Sequence, residues 1–247
     1  MTTNEITVNK EAVEAMFKVG AHFGYTKSRR HPSTTDYIFG AKNRIEIFDL
    51  EKTSVLLEQA KQFVEEIAAQ GKQILFVSGK REAMSVLKDA AAKIDQPYVA
   101  GRWIGGTLTN FEQIQKRTSR LEKLLTEKEK GLLAKYTKKE RLLIDREIDK
   151  LKERFGGITN MKTRPGAVFI IDVKHEDNAT AEALVEKLPI ISLSSSDCDI
   201  SNVTRPILAN DNAVHSISFI LSEIVAAYQA GAKRKQAAVK PAAPAAK

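Results

Sequence analysis

The chain has 247 residues, 43% of them apolar, enough to bury a sizeable core in one large domain or two small ones. Its longest apolar runs, such as those at 74–77 and 167–171, fall far short of the ~20 residues that a membrane span needs, and an N-terminus carrying Glu5, Glu11 and Glu14 resembles neither a secretory nor a transit signal. The single cysteine, Cys198, excludes an intramolecular disulfide and a thiolate zinc cage, as expected of a reducing cytoplasm.

Residues 44–50 read as a short strand leading into a helix over 51–70, where Val55, Leu56, Ala60, Phe63 and Ile67 recur at helical spacing and Gly71 is placed to stop it. A buried strand follows at 73–77, then a helix over 81–94 and a short strand at 97–100. The alternation breaks at residue 111. It resumes with a strand at 167–172, a helix over 178–187, a strand at 189–193 and a last helix over 211–229. Strands alternating with helices imply a parallel sheet covered on both faces, so residues 1–110 and 156–230 are expected to form one doubly wound α/β body.

The interruption at 111–155 carries its own pattern. Phe111, Ile114, Thr118, Leu121 and Leu125 are spaced 3, 4, 3, 4, and Ile144, Ile148, Leu151 and Phe155 are spaced 4, 3, 4, each a narrow seam of coiled-coil type. Gly131 punctuates the first helix, Thr137 with Glu140 forms a capping box for the second, Asn110 with Gln113 offers a similar cap for the first, and Gly156-Gly157 ends the pair. The expected structure is an antiparallel helical hairpin inserted into the body, its outer faces carrying Lys116, Arg117, Arg120, Lys138, Lys139, Arg146 and Arg154. Residues 231–247, rich in Ala, Pro and Lys without periodicity, are expected to be a disordered basic tail.

Charge follows this division. The net +8 sits mostly in two places: residues 111–155 hold 14 Lys/Arg against 9 Asp/Glu, and residues 232–247 hold five basic residues and no acid. A near-neutral body with cationic extensions fits a protein that grips a polyanion, the alternative being a solvated helix face and a solubilising tail.

Little points to catalysis. The four histidines show no metal-binding spacing, and Ser194 to Asp197 lack a nucleophile elbow. His175-Glu176-Asp177, just after a strand, is the best acid/base candidate, read here as a polar loop. Val77 to Arg81 and Gly101 to Gly106 imitate phosphate loops without the spacing of either nucleotide motif. Both offer amides and cations at strand ends, and Trp103 offers a surface for stacking on a base. A nucleotide-using enzyme with a helical lid and a self-associating coiled coil remain as alternatives.

Several stretches in order resemble one family: Ala21-His22-Phe23-Gly24, Tyr37-Ile38-Phe39-Gly40-Ala41-Lys42-Asn43, Asp49-Leu50-Glu51-Lys52-Thr53, Ile74-Leu75-Phe76-Val77, Arg102-Trp103-Ile104-Gly105-Gly106-Thr107-Leu108-Thr109-Asn110 and Phe169-Ile170-Ile171-Asp172. Followed by a charged hairpin, they are similar to the bacterial small-subunit ribosomal protein S2 family over about residues 9–229. The resemblance implies a flavodoxin-like body with an inserted coiled coil. It also implies a structural role on the ribosome, binding small-subunit rRNA between head and body beside ribosomal protein S1, with no catalytic activity, cofactor, small-molecule substrate or membrane.

Where the family carries a second histidine, an Asp-Thr-Asn and an Asn-Asp-Asp, this chain has Tyr25, Ser194-Ser195-Ser196 and Asn210-Asp211-Asn212. These positions are expected to form a polar pocket near the hairpin base, and their loss of ligands predicts no metal. The expected rRNA-binding set is Arg29, Arg30, Lys42, Arg44, Lys80, Arg81, Arg102 and Trp103 on the body with Lys116, Arg117, Arg120, Lys138 and Lys139 on the hairpin.

Overall fold

The computed structural model describes residues 10–239. A short helix, α1 (Lys10–Lys18), precedes three strands, β1 (Phe23–Thr26), β2 (Ile38–Lys42) and β3 (Ile45–Phe48), which form an antiparallel sheet in the order β1-β3-β2. The strand expected at 44–50 is therefore β3, and it does not open the parallel sheet. The reason is local: Asn43 and Arg44, with φ of +52° and +66°, make a two-residue turn between Lys42 and Ile45. Such a turn returns the chain antiparallel, whereas a parallel neighbour needs a long crossover.

Helix α2 (Leu50–Ala69) starts where the Asp49 carboxylate accepts from the amide of Glu51 at 3.1 Å, and Gly71, with φ +73°, stops it as its sequence position predicts. Then follow β4 (Ile74–Ser78), α3 (Arg81–Lys93) and β5 (Tyr98–Ala100), two long helices, α4 (Phe111–Glu129) and α5 (Lys138–Phe155), and β6 (Ala167–Ile171). The chain continues with α6 (Asp177–Val185), β7 (Ile190–Ser194), β8 (Arg205–Leu208) and α7 (Val214–Val239). The five later strands form one parallel sheet in the order β5-β4-β6-β7-β8. That is the 2-1-3-4-5 order of flavodoxin-type sheets, with its switch point between the first and third strands, β4 and β6.

The central strands are buried on both faces, yet alternate side chains serve different cores. Ile74, Phe76, Phe169, Ile171, Ile191 and Leu193 pack against α2, α3 and α7, while Leu75, Val77, Val168 and Ile170 pack with Trp103, Ile114, Phe155 and Ile158 at the feet of α4 and α5 and with α6. Each large apolar side chain so buried contributes about 1.5 to 3 kcal/mol. Helix α7 runs to Val239, ten residues past the expected end at 229, so 231–239 belong to a helix and not to a disordered tail. Gly231 lets α7 approach the backbone of Glu65 closely, and Arg234 pairs with Glu65 at 3.0 Å. Residues 240–247, the rest of the expected tail, lie outside the described residues.

Between β5 and β6 the chain folds back on itself. Leu121, Leu124 and Ile148 are buried between α4 and α5, with Leu125, Ile144 and Leu151 beside them. Lys128 pairs with Asp145 and Arg120 with Glu147, so positions ascend along one helix as they descend along the other. The capping box at the start of α5 is present, with Glu140 accepting from the Thr137 amide at 2.9 Å. The cap expected from Asn110 is not: its side chain makes no such bond.

Candidate nucleic-acid interface

The carboxyl ends of β4, β5 and β6 are where an open α/β sheet binds phosphate-bearing ligands, using loop amides and cations. Here the Gly79 amide, Lys80 and the Trp103 indole each meet a carboxylate of the same chain. The amide of Gly79, directly after β4, donates to Glu176 Oε1 at 2.8 Å, and the His175 ring lies 2.8 Å from the same oxygen. A β-carbon at position 79 would collide with that carboxylate, which explains the glycine. The polar loop expected at His175 is present and is pinned by Asp172, whose Oδ1 accepts from the amides of Lys174 and His175. Beyond β5, the Trp103 indole donates to Glu182 at 2.9 Å.

Lys80 completes the pattern. Its ammonium lies 2.7 Å from Asp172 and 2.8 Å from Asp211 and also donates to Asn212, with only 10% of the side chain exposed. Burial would strip the lysine of its proton, but the two carboxylates outweigh it and raise the ammonium's pKa far above its ordinary value. Asp172 is held below the usual carboxylate range because Lys80 and the loop amides overcome its own burial. Asp211, fully buried and with one oxygen lacking a hydrogen-bond partner, is pushed up to about 6 by burial against the pull of Lys80. Two expectations change here. Lys80 is spent on internal carboxylates and Trp103 is buried, at 7% exposure, so neither is presented to a partner's phosphate or base.

The positions that depart from the family pattern do converge. Tyr25 donates its amide to Ser196 Oγ at 3.0 Å and its hydroxyl to Asn212 at 3.1 Å, beside Lys80. Asp172, Cys198 and Asp211 bring donor atoms within 4.8 Å of one another, a spacing that suits a metal ion. The residues do not fit one. Lys80 already supplies the positive charge between the carboxylates, and burial raises the Cys198 thiol far above its ordinary pKa, keeping it protonated and a poor ligand.

The remaining expected contacts lie on the outside. Arg29, Lys42, Arg44, Arg81, Arg102, Lys116, Arg117, Lys138 and Lys139 are exposed, and among the described residues none has a carboxylate within ion-pair distance. Arg30 reaches inward to the buried Glu46 at 3.2 Å, and Arg120 is paired with Glu147 at 3.3 Å. Arg146 and Arg154, expected among the outer-face cations of the hairpin, stand in one line with Lys150, which was not among them. Arg146, Lys150 and Arg154, with Arg117 across from them, border a groove of about 570 Å³ floored by Leu151 and Phe155. Its one acidic lining residue, Glu147, is the partner of Arg120. Four-residue spacing on a helix, outside the apolar seam, was the signal that points to this line.

The result is an α/β domain whose Gly79, Lys80 and Trp103 donors are matched by its own carboxylates, while unpaired cations face outward on a two-helix extension. The family model of ribosomal protein S2 matches residues 16–231, and the chain belongs to that family, whose members are structural proteins and not enzymes. It is 41% identical over 225 residues to the small ribosomal subunit protein uS2 of Roseiflexus castenholzii, covering 91% of this chain and 86% of that one. It is 40% identical over 210 residues to the uS2 of Karelsulcia muelleri (85% and 95% covered) and 37% over 230 residues to that of Salinibacter ruber (93% and 72%).

Proposed function

We propose that this chain is a structural constituent of the small ribosomal subunit in the cytoplasm, binding small-subunit rRNA between head and body, with the α4–α5 pair serving as an inserted coiled-coil arm. The observation that carries the reading is the cationic line on that arm. Arg146, Lys150 and Arg154 recur every four residues, about 6 Å apart along the axis, and with Arg117 they border a groove whose one acidic lining residue, Glu147, is paired with Arg120. Such a line matches the regular succession of phosphates along an A-form strand, whose bases are hidden in a deep, narrow groove. On the body, Arg29, Lys42, Arg44, Arg81 and Arg102 offer further phosphate contacts. Arg44 sits at the tip of the β2–β3 turn in a left-handed conformation that costs a non-glycine residue roughly 1 kcal/mol. A cation kept there despite the strain suits a contact residue.

A place beside ribosomal protein S1 belongs to the same proposal and rests on the family resemblance. Among the described residues no helix is long and apolar enough to cross a membrane.

The test is to strip small subunits of this protein, resupply the full chain at several salt concentrations, and sediment the mixture. Binding is expected to weaken linearly in log–log terms, by roughly 0.7 to 0.9 per phosphate contact. A chain that stays at the top of the gradient at every salt concentration sinks the proposal.

A further inference from the structure

Five hydrogen bonds meet on one carboxylate at the foot of the arm. Glu182 Oε1 accepts from the Trp103 indole at 2.9 Å and from the Gly106 amide at 2.8 Å; Oε2 accepts from the Leu108 amide at 3.0 Å and from the Thr109 amide and hydroxyl, each at 3.3 Å. All donors lie in the turn that feeds α4, whereas Glu182 lies on α6, more than seventy residues away and packed on the body. Asn110 gives α4 no side-chain cap, and the turn directly before the helix is held by the body's Glu182 through the amides of Gly106, Leu108 and Thr109. Burial pushes the Glu182 carboxyl up, but the indole and the amides outweigh it and hold the group below its ordinary 4.5. The charged form is the one in place.

Chemically this is an anion cradle of the kind that grips phosphate, filled from inside the chain. Its two sides are separate parts of the molecule. Trp103 also belongs to the same core cluster as Ile114 and Phe155 at the feet of the arm, while its N–H is held by the body.

We propose that Glu182 is a positioning residue that sets the angle between arm and body, so that the cations of both reach one RNA surface together. This rests on the rRNA-binding reading. Two sets of contacts held in fixed relation bind with a high effective concentration, and freedom at the joint lowers it without removing any phosphate contact. Loosening the joint therefore weakens binding at an unchanged salt slope, which separates it from loss of a cation.

The experiment uses the full chain in a Cys198→Ser background with pairs of spin labels. One pair, at Lys93 and Glu129, spans body and arm; a second, at Lys123 and Arg141, lies within the arm. In Glu182→Gln the amide turns its N–H₂ toward donors, and the arm–body distance distribution is expected to widen roughly twofold while the arm's internal pair is unchanged. Affinity for stripped small subunits should fall about tenfold with the same salt slope. Trp103→Phe, which removes one of the five bonds, should widen the arm–body distribution less. An unchanged arm–body distribution, or equal widening of both pairs, overturns the proposal. The distances are read on the protein alone, so a wild-type chain that fails to bind rRNA defeats the functional reading and leaves the joint's role to be judged separately.

Discussion

The strand ends of the body and the outer flank of the arm treat charge in opposite ways. At the strand ends Lys80, the Gly79 amide and the Trp103 indole each face a carboxylate of the same chain, and on the arm Arg146, Lys150 and Arg154 face solvent. Both regions hold the groups that bind phosphate. What separates them is whether the partner is already built in: a matched group stabilises the fold, and an unmatched one is left for a ligand.

The contrast makes its largest prediction at Lys80. Lys80→Met leaves Asp172 and Asp211 buried without a counter-charge, and should cost about 3 to 5 kcal/mol in chemical denaturation. A loss under 1 kcal/mol would mean that the pair is not what matches the charge there.

The arm should behave the other way. Replacing Arg146, Lys150 and Arg154 together by Ala should reduce the salt slope of subunit binding by roughly 2 to 3 while changing stability by less than about 0.5 kcal/mol per site. An unaltered slope would remove the groove from the interface. Arg44→Gly sharpens the same distinction at one residue: it should stabilise the fold by about 0.5 kcal/mol, the relief of strain exceeding the added flexibility, and lower the slope by roughly 0.7.

A further effect is in pH. The folded chain holds Asp211's proton up to about 6, whereas the unfolded chain releases it near 3.8. The folded state therefore binds more protons between those values, and this contribution to stability is present at pH 4 and lost as pH rises to 6. Asp211→Asn should flatten that decline. A variant with the wild-type slope from pH 4 to 6 would assign the proton elsewhere.

Much of this architecture is legible in the sequence because apolar spacing reports it directly. The runs at 74–77 and 167–171 mark two-sided burial, and the 3, 4 spacings of Ile114 to Leu125 and Ile144 to Phe155 mark the two helices that meet. Short elements are harder to see. Strand β8 has four residues with Pro206 among them, which reads against a strand and is tolerated because β8 lies at the sheet's edge. The continuation of α7 was hidden because the Ala- and Lys-rich stretch after Gly231 looks like a tail until Glu65 is placed beside Arg234. The same limit governs the site: exposure and pairing decide which cations are available, and neither Glu182 nor Asp211 is near its partners in sequence. Local pattern does not contain that information.

The arm stands where a crossover helix between β5 and β6 would otherwise cover the sheet, and its feet, through Trp103, Ile114, Phe155 and Ile158, close the core over Leu75, Val77, Val168 and Ile170. The ends of the extension nearest the sheet are thus part of the body's architecture. The stretch beyond them is sealed by its own short seam of Leu121, Leu124 and Ile148. Whole turns can therefore be added or removed in matched pairs without repacking the domain, which makes the reach of the arm adjustable while its root stays constant.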